Sequence, residues 1–416
     1  MAIHSRDLSP GDLKELPEVQ LRSAGPHPLI YRKRIERVSR GARPGDLVRV
    51  VGNTGHLVGY GLYNSKSELA LRILSREEQP PDAAWWRRQL EEAVRLRRDI
   101  LKLDDASDAY RLVHAEGDGL SGLVIDKLGD VLSVECFSFG MHQRAEAIVD
   151  LLAPLVGTKH YVIRPGPATL AQEGFDGDTI ASAELPPRVT IHEFGTRFRV
   201  DFAAGHKTGF FCDQRDNRRM LATLCRDRTV LDLCCYTGGF AIQAKKLGGA
   251  KEVTGVDLDA EPLELAKENA NLNQVRVRFA QADAFAYIRD MLAGGRQFDV
   301  VVLDPPKLIR SRAELEEGTR KHFDLNRLAM RLVAPGGLMV SCTCAGLLSQ
   351  DEFSRLIYAS ARQAGPEISP ATADRGAWHA QRQVQILAKT GAAADHPIAT
   401  NCPETEYLQA VWMRLL

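Results

Sequence analysis

Four aspartates in the second half of the chain stand where short apolar runs stop. Val230-Leu231-Asp232-Leu233 leads into Cys234-Cys235-Tyr236-Thr237-Gly238-Gly239. Val256-Asp257-Leu258-Asp259 closes a second run, RFAQAD ends in Asp283 before Ala284, and Phe298–Leu303 runs into Asp304-Pro305-Pro306-Lys307. A glycine pair after a buried strand lets the backbone turn sharply and approach a ligand closely. An acid ending the next strand, roughly 20 residues on, is placed to accept hydrogen bonds from ribose hydroxyls. Asp283 is similarly placed for an adenine amino group. Because the glycines do not form GxGxxG, a nicotinamide enzyme is disfavoured. Any one strand-end aspartate is more often a helix N-cap. The series is more specific, since ligands of open α/β sheets bind beyond the carboxyl ends of the strands.

A fifth strand, Gly336–Val340, leads into Ser341-Cys342-Thr343-Cys344-Ala345-Gly346. A thiol at that place is a candidate nucleophile for covalent catalysis. The plain alternative is a pair of buried cysteines, which are among the most buried residues.

The elements that would position these groups begin near residue 215. RTVLDLCC, EVTGVDL, VRVRFAQ, FDVVVLDPP and GLMVSCT alternate with helical stretches. Apolar strands alternating with helices predict a mainly parallel sheet covered on both faces. Pro305 and Pro306 cannot continue a central strand, so the chain must turn and leave Asp304 at the rim. This order of strand-end acids and TGG loop resembles the Rossmann-like class of S-adenosylmethionine (SAM)-dependent methyltransferases. The resemblance implies SAM as cofactor, with Asp257 on its ribose, Asp283 on its adenine and Tyr236, Thr237, Gly238 and Gly239 around its amino-acid half. Asp232, Leu258, Ala284, Asp304 and Pro305 complete the implied cofactor site. Beside a methyl donor the thiol has a definite use. Carbon 5 of a pyrimidine is a poor nucleophile until a thiolate adds to carbon 6.

Residues 1–78 read differently. LIYRKRIERV, DLVRVVG, HLVGYGLYN and ELALRILS are short strand-like runs separated by turn residues, predicting a small β-barrel. Residues 31–50 carry seven Lys/Arg (Arg32, Lys33, Arg34, Arg37, Arg40, Arg43, Arg49) against Glu36 and Asp46. Such a run is either a solvated face or a phosphate contact. After Gln79-Pro80-Pro81, DAAWWRRQLEEAVRLRRDIL predicts an amphipathic helix with Trp85, Leu90, Ala93, Val94 and Ile100 on its apolar face. Strands and a helix across 110–190 predict an α+β domain. The expected division is 1–78, 79–190 and 191–416.

Taken together these segments resemble the PUA-domain 5-methylcytosine RNA methyltransferases over almost the whole chain. GPHPLIYRKRIERV, PGDLVRVV and GYGLYNSKSELALRIL are similar to the family's RNA-binding PUA module, and YRLVHAEGDGLSGLVIDKLGD to its central domain. GHKTGFFCDQRDNR (205–218), DLCCYTGGF, GVDLD, DPPK and TCAG are similar to its catalytic segments, with Ala394–Pro397 and Glu404–Leu408 at the end. The family resemblance implies that Cys344 is the nucleophile and Cys342 a bystander. It implies that Asp304 contacts the target cytosine and that Asp213, Gln214 and Arg215 close over SAM. Large-subunit ribosomal RNA is the implied substrate, with Arg32, Lys33, Arg34, Lys207 and Lys307 as RNA contacts. The chain departs from the family's aromatic after His27-Pro28, where it has Leu29.

Two alternatives stay open. A DPP motif also serves enzymes that methylate exocyclic amines without a thiol, although Lys307 and Leu308 supply no aromatic there. The chain could instead be an RNA-binding protein that retains SAM affinity only. The eight cysteines form no CxxC pair, so a reducing cytosol with free thiols and no metal site is expected. The sequence shows neither a membrane span nor a signal peptide. A β-rich front module permits a homodimer.

Overall fold

Val230 and Leu231 are buried to 1% or less because their strand lies in the middle of a sheet, with neighbours on both edges and helices on both faces. The computed structural model describes residues 5–8, 16–202, 209–365 and 381–416. The strands of this sheet are β1 (Thr229–Leu233), β2 (Glu252–Asp257), β3 (Arg278–Gln281), β4 (Phe298–Leu303), β5 (Val333–Thr343), β6 (Val384–Gly391) and β7 (Gln409–Leu415). Their order is β3-β2-β1-β4-β5-β7-β6. The first five run parallel, β7 returns antiparallel beside β5, and β6 pairs antiparallel with β7. Strands consecutive in sequence from β1 to β5 are each joined through a helix, as parallel connections require. These are Gly239–Lys246, Ala260–Leu272, Ala284–Ala293 and Leu315–Leu332. Apolar clusters lie on both faces, one around Leu231, Val301, Phe353 and Met413, the other around Val230, Val302, Cys342 and Trp412. This is the expected α/β architecture.

The chain divides into two compact units. That sheet belongs to the unit made of Phe194–Arg199, Gln214–Ala393 and Glu406–Leu416, while Met1–Glu193, Val200–Asp213 and Ala394–Thr405 make the other. The latter contains a six-stranded sheet over residues 18–75 around Val19, Leu21, Val48, Val50 and Leu71. It also contains a five-stranded sheet over 109–181, against which the helices Ala83–Arg95 and Ala145–Val156 pack. Trp85 and Trp86 meet edge to face at 5.2 Å inside this core.

The structure corrects two expectations. LIYRKRIERV is not one strand. It pairs at Leu29–Ile30, turns through a 3-10 segment at Arg32–Arg34 and pairs again at Ile35–Val38, so three consecutive cations lie on a turn. The Trp-containing helix is regular only to Arg95 and then widens to a π turn over Leu96–Ile100. The extra residue rotates the register, so Arg97 enters the core and Ile100 is 58% exposed. Arg97 is fully buried against Asp118 in a two-pronged bond of 2.6 and 2.8 Å. His396 lies in the excursion between β6 and β7. There its Nδ1 is 3.1 Å from Asp395 and its ring edges onto His114.

That excursion is held closely. The carbonyl of Asp395 accepts from Arg97 at 2.6 Å, and its carboxylate accepts from the Arg111 amide at 2.8 Å. Gly117 is required where it passes, since a Cβ there would come within 2.2 Å of the Pro397 carbonyl. Further on, His27 Nε2 meets Glu404 at 3.1 Å, and the Cys402 thiol donates to the same carboxylate at 3.5 Å. The Leu29 amide donates to His27 Nδ1, so Nε2 carries the proton and faces Glu404 as a donor. A metal ion on Nε2 would need the opposite tautomer.

Candidate active site

The loop after β1 is built from unusual backbone. Cys234, Tyr236 and Gly238 have φ of 61°, 49° and 81°. Two of the three are non-glycine residues in the left-handed region, a strain that persists only where surroundings over-determine it. Here they do. The Cys235 amide donates to Val256, the Tyr236 amide to the Asp257 carboxylate at 2.7 Å and the Gly238 amide to Cys235. Asn269 donates to the Thr237 carbonyl. A Cβ on Gly238 would sit 3.1 Å from Ile242 and 3.3 Å from Ala266. Cys235, buried, fills space left by Gly255, where a Cβ would stand 3.0 Å from its sulfur.

The four aspartates converge at the carboxyl edge of the sheet. Asp232 is 1% exposed, its Oδ2 accepts from the Ala241 amide at 2.9 Å, and its Oδ1 has no partner. Burial holds its carboxyl well above the usual carboxylate range, reinforced by the charges of Asp304 and Asp257. Burial also pushes the Cys234 thiol up, followed by the charges of Asp257, Asp304, Asp232 and Asp283. One half-buried thiol thus feels all four acids. Asp257 also accepts from the Asp259 amide. Asp283 is a helix N-cap, accepting from the Ala286 amide at 3.0 Å with one oxygen. Leu258 is 62% exposed beside Asp257, Ala284 is half-buried behind Asp283, and Pro305 is buried behind a half-buried Asp304.

Asp304 ends a relay that the sequence did not disclose. Gln214 donates to its Oδ2 at 3.0 Å, Asn217 donates to Gln214 at 2.7 Å, Thr390 to Asn217 at 2.7 Å and Trp412 to Thr390 at 2.8 Å. Arg215 is buried with its guanidinium toward Asp216, whereas Asp213 is the last residue of the other compact unit before the chain enters this one. Lys307 is exposed on the turn after the prolines. Lys207 lies outside the described residues.

β5 pairs with β4 through Leu303 and Ser341, bringing the segment after Thr343 to the same edge as Asp304. Cys342 is fully buried in the core beneath. Cys344 is half-buried just past the strand. Thr343 brackets it, its hydroxyl accepting from the Ala345 amide at 3.2 Å and meeting His322 Nε2 at 3.1 Å. His322, another residue the sequence did not flag, is buried on the Leu315–Leu332 helix, and burial lowers it to about 4.

A five-stranded parallel core in this order, extended by an antiparallel strand and with acids at the ends of its strands, is the Rossmann-like methyltransferase fold. Comparison with known proteins agrees. The S-adenosylmethionine-dependent methyltransferase family matches residues 111–366, and a PUA-like domain matches residues 22–76. The Vibrio cholerae protein named ribosomal RNA large subunit methyltransferase I is 35% identical over 397 residues, covering 94% of this chain and 96% of the relative. Its namesake from Aeromonas salmonicida is 36% identical over 394 residues, covering 93% and 95%. A structure from Streptococcus mutans, described as a candidate SAM-dependent methyltransferase, shares the fold with a TM-score of 0.75 at 17% identity, covering 95% of this chain and all of that one. The chain belongs to the S-adenosylmethionine-dependent methyltransferase family. Its cofactor is SAM, and the rim fits that molecule. A buried, unpartnered carboxylate oxygen on Asp232 within a cluster of four acids suits a ligand that carries both an ammonium and a sulfonium. Among the described residues no helix is long and apolar enough to cross a membrane.

Proposed function

We propose that the protein methylates carbon 5 of a cytosine in RNA, with large-subunit ribosomal RNA as the substrate. The observation that carries this reading is Cys344, a half-buried thiol just beyond β5, on the sheet edge that also bears Asp304. The RNA part is supported by the names of the relatives and by the PUA-like match at residues 22–76. In this reading residues 1–78 grip RNA through Arg32, Lys33 and Arg34, 79–190 form the central domain, and 191–416 carry out the chemistry, with Lys207 and Lys307 as further RNA contacts.

Bound SAM supplies an electrophilic methyl group. Asp257 holds its ribose, Asp283 its adenine, and Asp232 with the Tyr236–Gly239 loop its amino-acid end. The Cys344 thiolate adds to carbon 6 of the cytosine, which makes carbon 5 enamine-like and able to take the methyl. S-adenosylhomocysteine is the leaving group of the methyl transfer, and loss of the carbon-5 proton to a base then restores the ring double bond and expels the thiolate. Asp304, oriented by Gln214, holds the base. An unpaired base turned into a pocket is the form in which such chemistry reaches its target.

The test is to incubate the protein with tritium-labelled SAM and total RNA from a strain lacking its gene, digest the RNA and locate the label. Label in 5-methylcytidine, lost with Cys344→Ala and kept with Cys342→Ala, is the expected result. Label on another nucleoside, or activity without Cys344, sinks the thiolate chemistry.

A further inference from the structure

The six-stranded sheet carries an exposed ring that its packing does not use. Ile30 is buried to 1%, yet the next residue, Tyr31, is 52% exposed. Its backbone is nonetheless fixed, by the pairing of Ile30 with Leu71 before it and by two bonds after it. The Arg32 amide donates to the Glu68 carbonyl at 2.8 Å, and the Arg34 amide to the Tyr31 carbonyl at 2.9 Å. Tyr31, in extended conformation, opens the 3-10 turn that Arg34 closes, so the two flank a single turn. The ring is presented on a rigid support, and ordering it on binding a ligand costs little further entropy.

The charges around it are not compensated. Of the seven cations in residues 31–50, Arg32 faces Glu68, while Arg37 and Arg49 share Glu18. Among the described residues, Lys33, Arg34, Arg40 and Arg43 make no ion pair. Arg22, whose amide donates to the Arg34 carbonyl at 2.9 Å, makes none either. The Arg34 guanidinium is steadied by neutral oxygens, the carbonyl and hydroxyl of Ser23 at 3.0 and 3.2 Å. It is held in place and keeps its full charge.

A fixed aromatic face with unneutralised cations beside it matches the needs of single-stranded nucleic acid, whose bases stack on rings while its phosphates meet Lys and Arg. A duplex hides its base faces and offers the ring nothing. We propose that Tyr31 is a stacking platform for an unpaired RNA base, with Arg22, Lys33 and Arg34 receiving the phosphates on either side. This rests on the reading of the front module as RNA-binding.

The experiment uses the full chain and a short single-stranded RNA containing the fluorescent adenine analogue 2-aminopurine, with a duplex of the same sequence as comparison. The wild type quenches the single-stranded probe on binding. Tyr31→Ala removes the quench and weakens single-strand binding about ten-fold, and Tyr31→Trp restores both. Duplex binding is the same for wild type and Tyr31→Ala. Replacing Lys33 and Arg34 by Ala weakens both probes and lowers the salt dependence by roughly one to two released counterions. Tyr31→Ala binding the single strand as tightly as wild type, or binding of the duplex alone, overturns the proposal. So does failure of either RNA to bind, which also removes the RNA-binding reading of the module. A Tyr31-dependent quench alongside failure of the tritium assay to label any RNA would uphold the platform and sink the proposed reaction instead.

Discussion

Gln214 donates its amide to the Asp304 carboxylate at 3.0 Å, and the direction of that bond is set at the far side of the sheet, by Trp412. An indole nitrogen can only donate, so the Thr390 hydroxyl accepts from it and passes its own proton on. Asn217 must therefore present its oxygen to Thr390 and its amide nitrogen to Gln214, as its second bond, to the Gly391 carbonyl, also requires. Gln214 is left with its own nitrogen facing Asp304. Asn217→Asp breaks this logic, because the new carboxylate draws the Gln214 amide to itself and turns the Gln214 oxygen toward Asp304. The expected result is a fall in kcat of about ten- to a hundred-fold, the effect of roughly 1.5–3 kcal/mol. SAM affinity by calorimetry should change little. A normal kcat in Asn217→Asp would show that the relay does not orient Asp304.

Gly238 allows a direct test of the cofactor loop. With φ at 81° and Ile242 and Ala266 within 3.3 Å of any added Cβ, Gly238→Ala is both strained and crowded. Left-handed backbone costs an L-residue roughly 1–2 kcal/mol, and the loop will shift to relieve it. The SAM dissociation constant should rise about ten-fold or more. Gly249, also left-handed at 66° but with open space around it, is the matched control. Gly249→Ala should lower stability and leave SAM affinity alone. Equal effects of the two substitutions on SAM would mean the loop does not shape the cofactor site.

How much of this was legible in the sequence follows from the range of the interactions. Asp232, Asp257, Asp283 and Asp304 announced themselves because each follows an apolar run that one strand must bury. Cys344 and Cys342 could be told apart in role only through the family resemblance, while the structure separates them by burial. Asn217, Thr390 and Trp412 carried no local signal, since the bond from Thr390 to Asn217 joins residues 173 apart in the chain. The π turn at Leu96–Ile100 was hidden for the same reason. Helical periodicity favours Ile100 inside, but pairing of Arg97 with the distant Asp118 decides the register.

His322 predicts a pH dependence of stability. Burial lowers its imidazole to about 4, against roughly 6.5 in an unfolded chain. The unfolded state therefore takes up the proton first as pH falls. Stability present above about pH 6.5 is lost between there and about pH 4, amounting to about 2 kcal/mol by pH 5. His322→Gln can still bond Thr343 but does not titrate. Between pH 8 and pH 5 the wild type should lose more of its urea resistance than this variant, and parallel losses would refute the assignment.

The Arg97–Asp118 pair makes the sharpest stability prediction. Arg97 has no exposed side-chain surface, and it binds both Asp118 oxygens and the carbonyls of Ala93, Arg111 and Asp395. Arg97→Met keeps the volume but strands the Asp118 carboxylate, only 6% exposed, with just the His114 amide opposite it among the described residues. Removing one partner of a buried pair costs about 3–5 kcal/mol, most of it from the charge left behind. Adding Asp118→Asn removes that charge while an amide oxygen can still accept from His114. The double variant should therefore regain a large part of the lost thermal stability. If it melts no higher than Arg97→Met alone, the cost lies in the lost bonds to the three carbonyls, and the excursion carrying Asp395 depends on Arg97 directly.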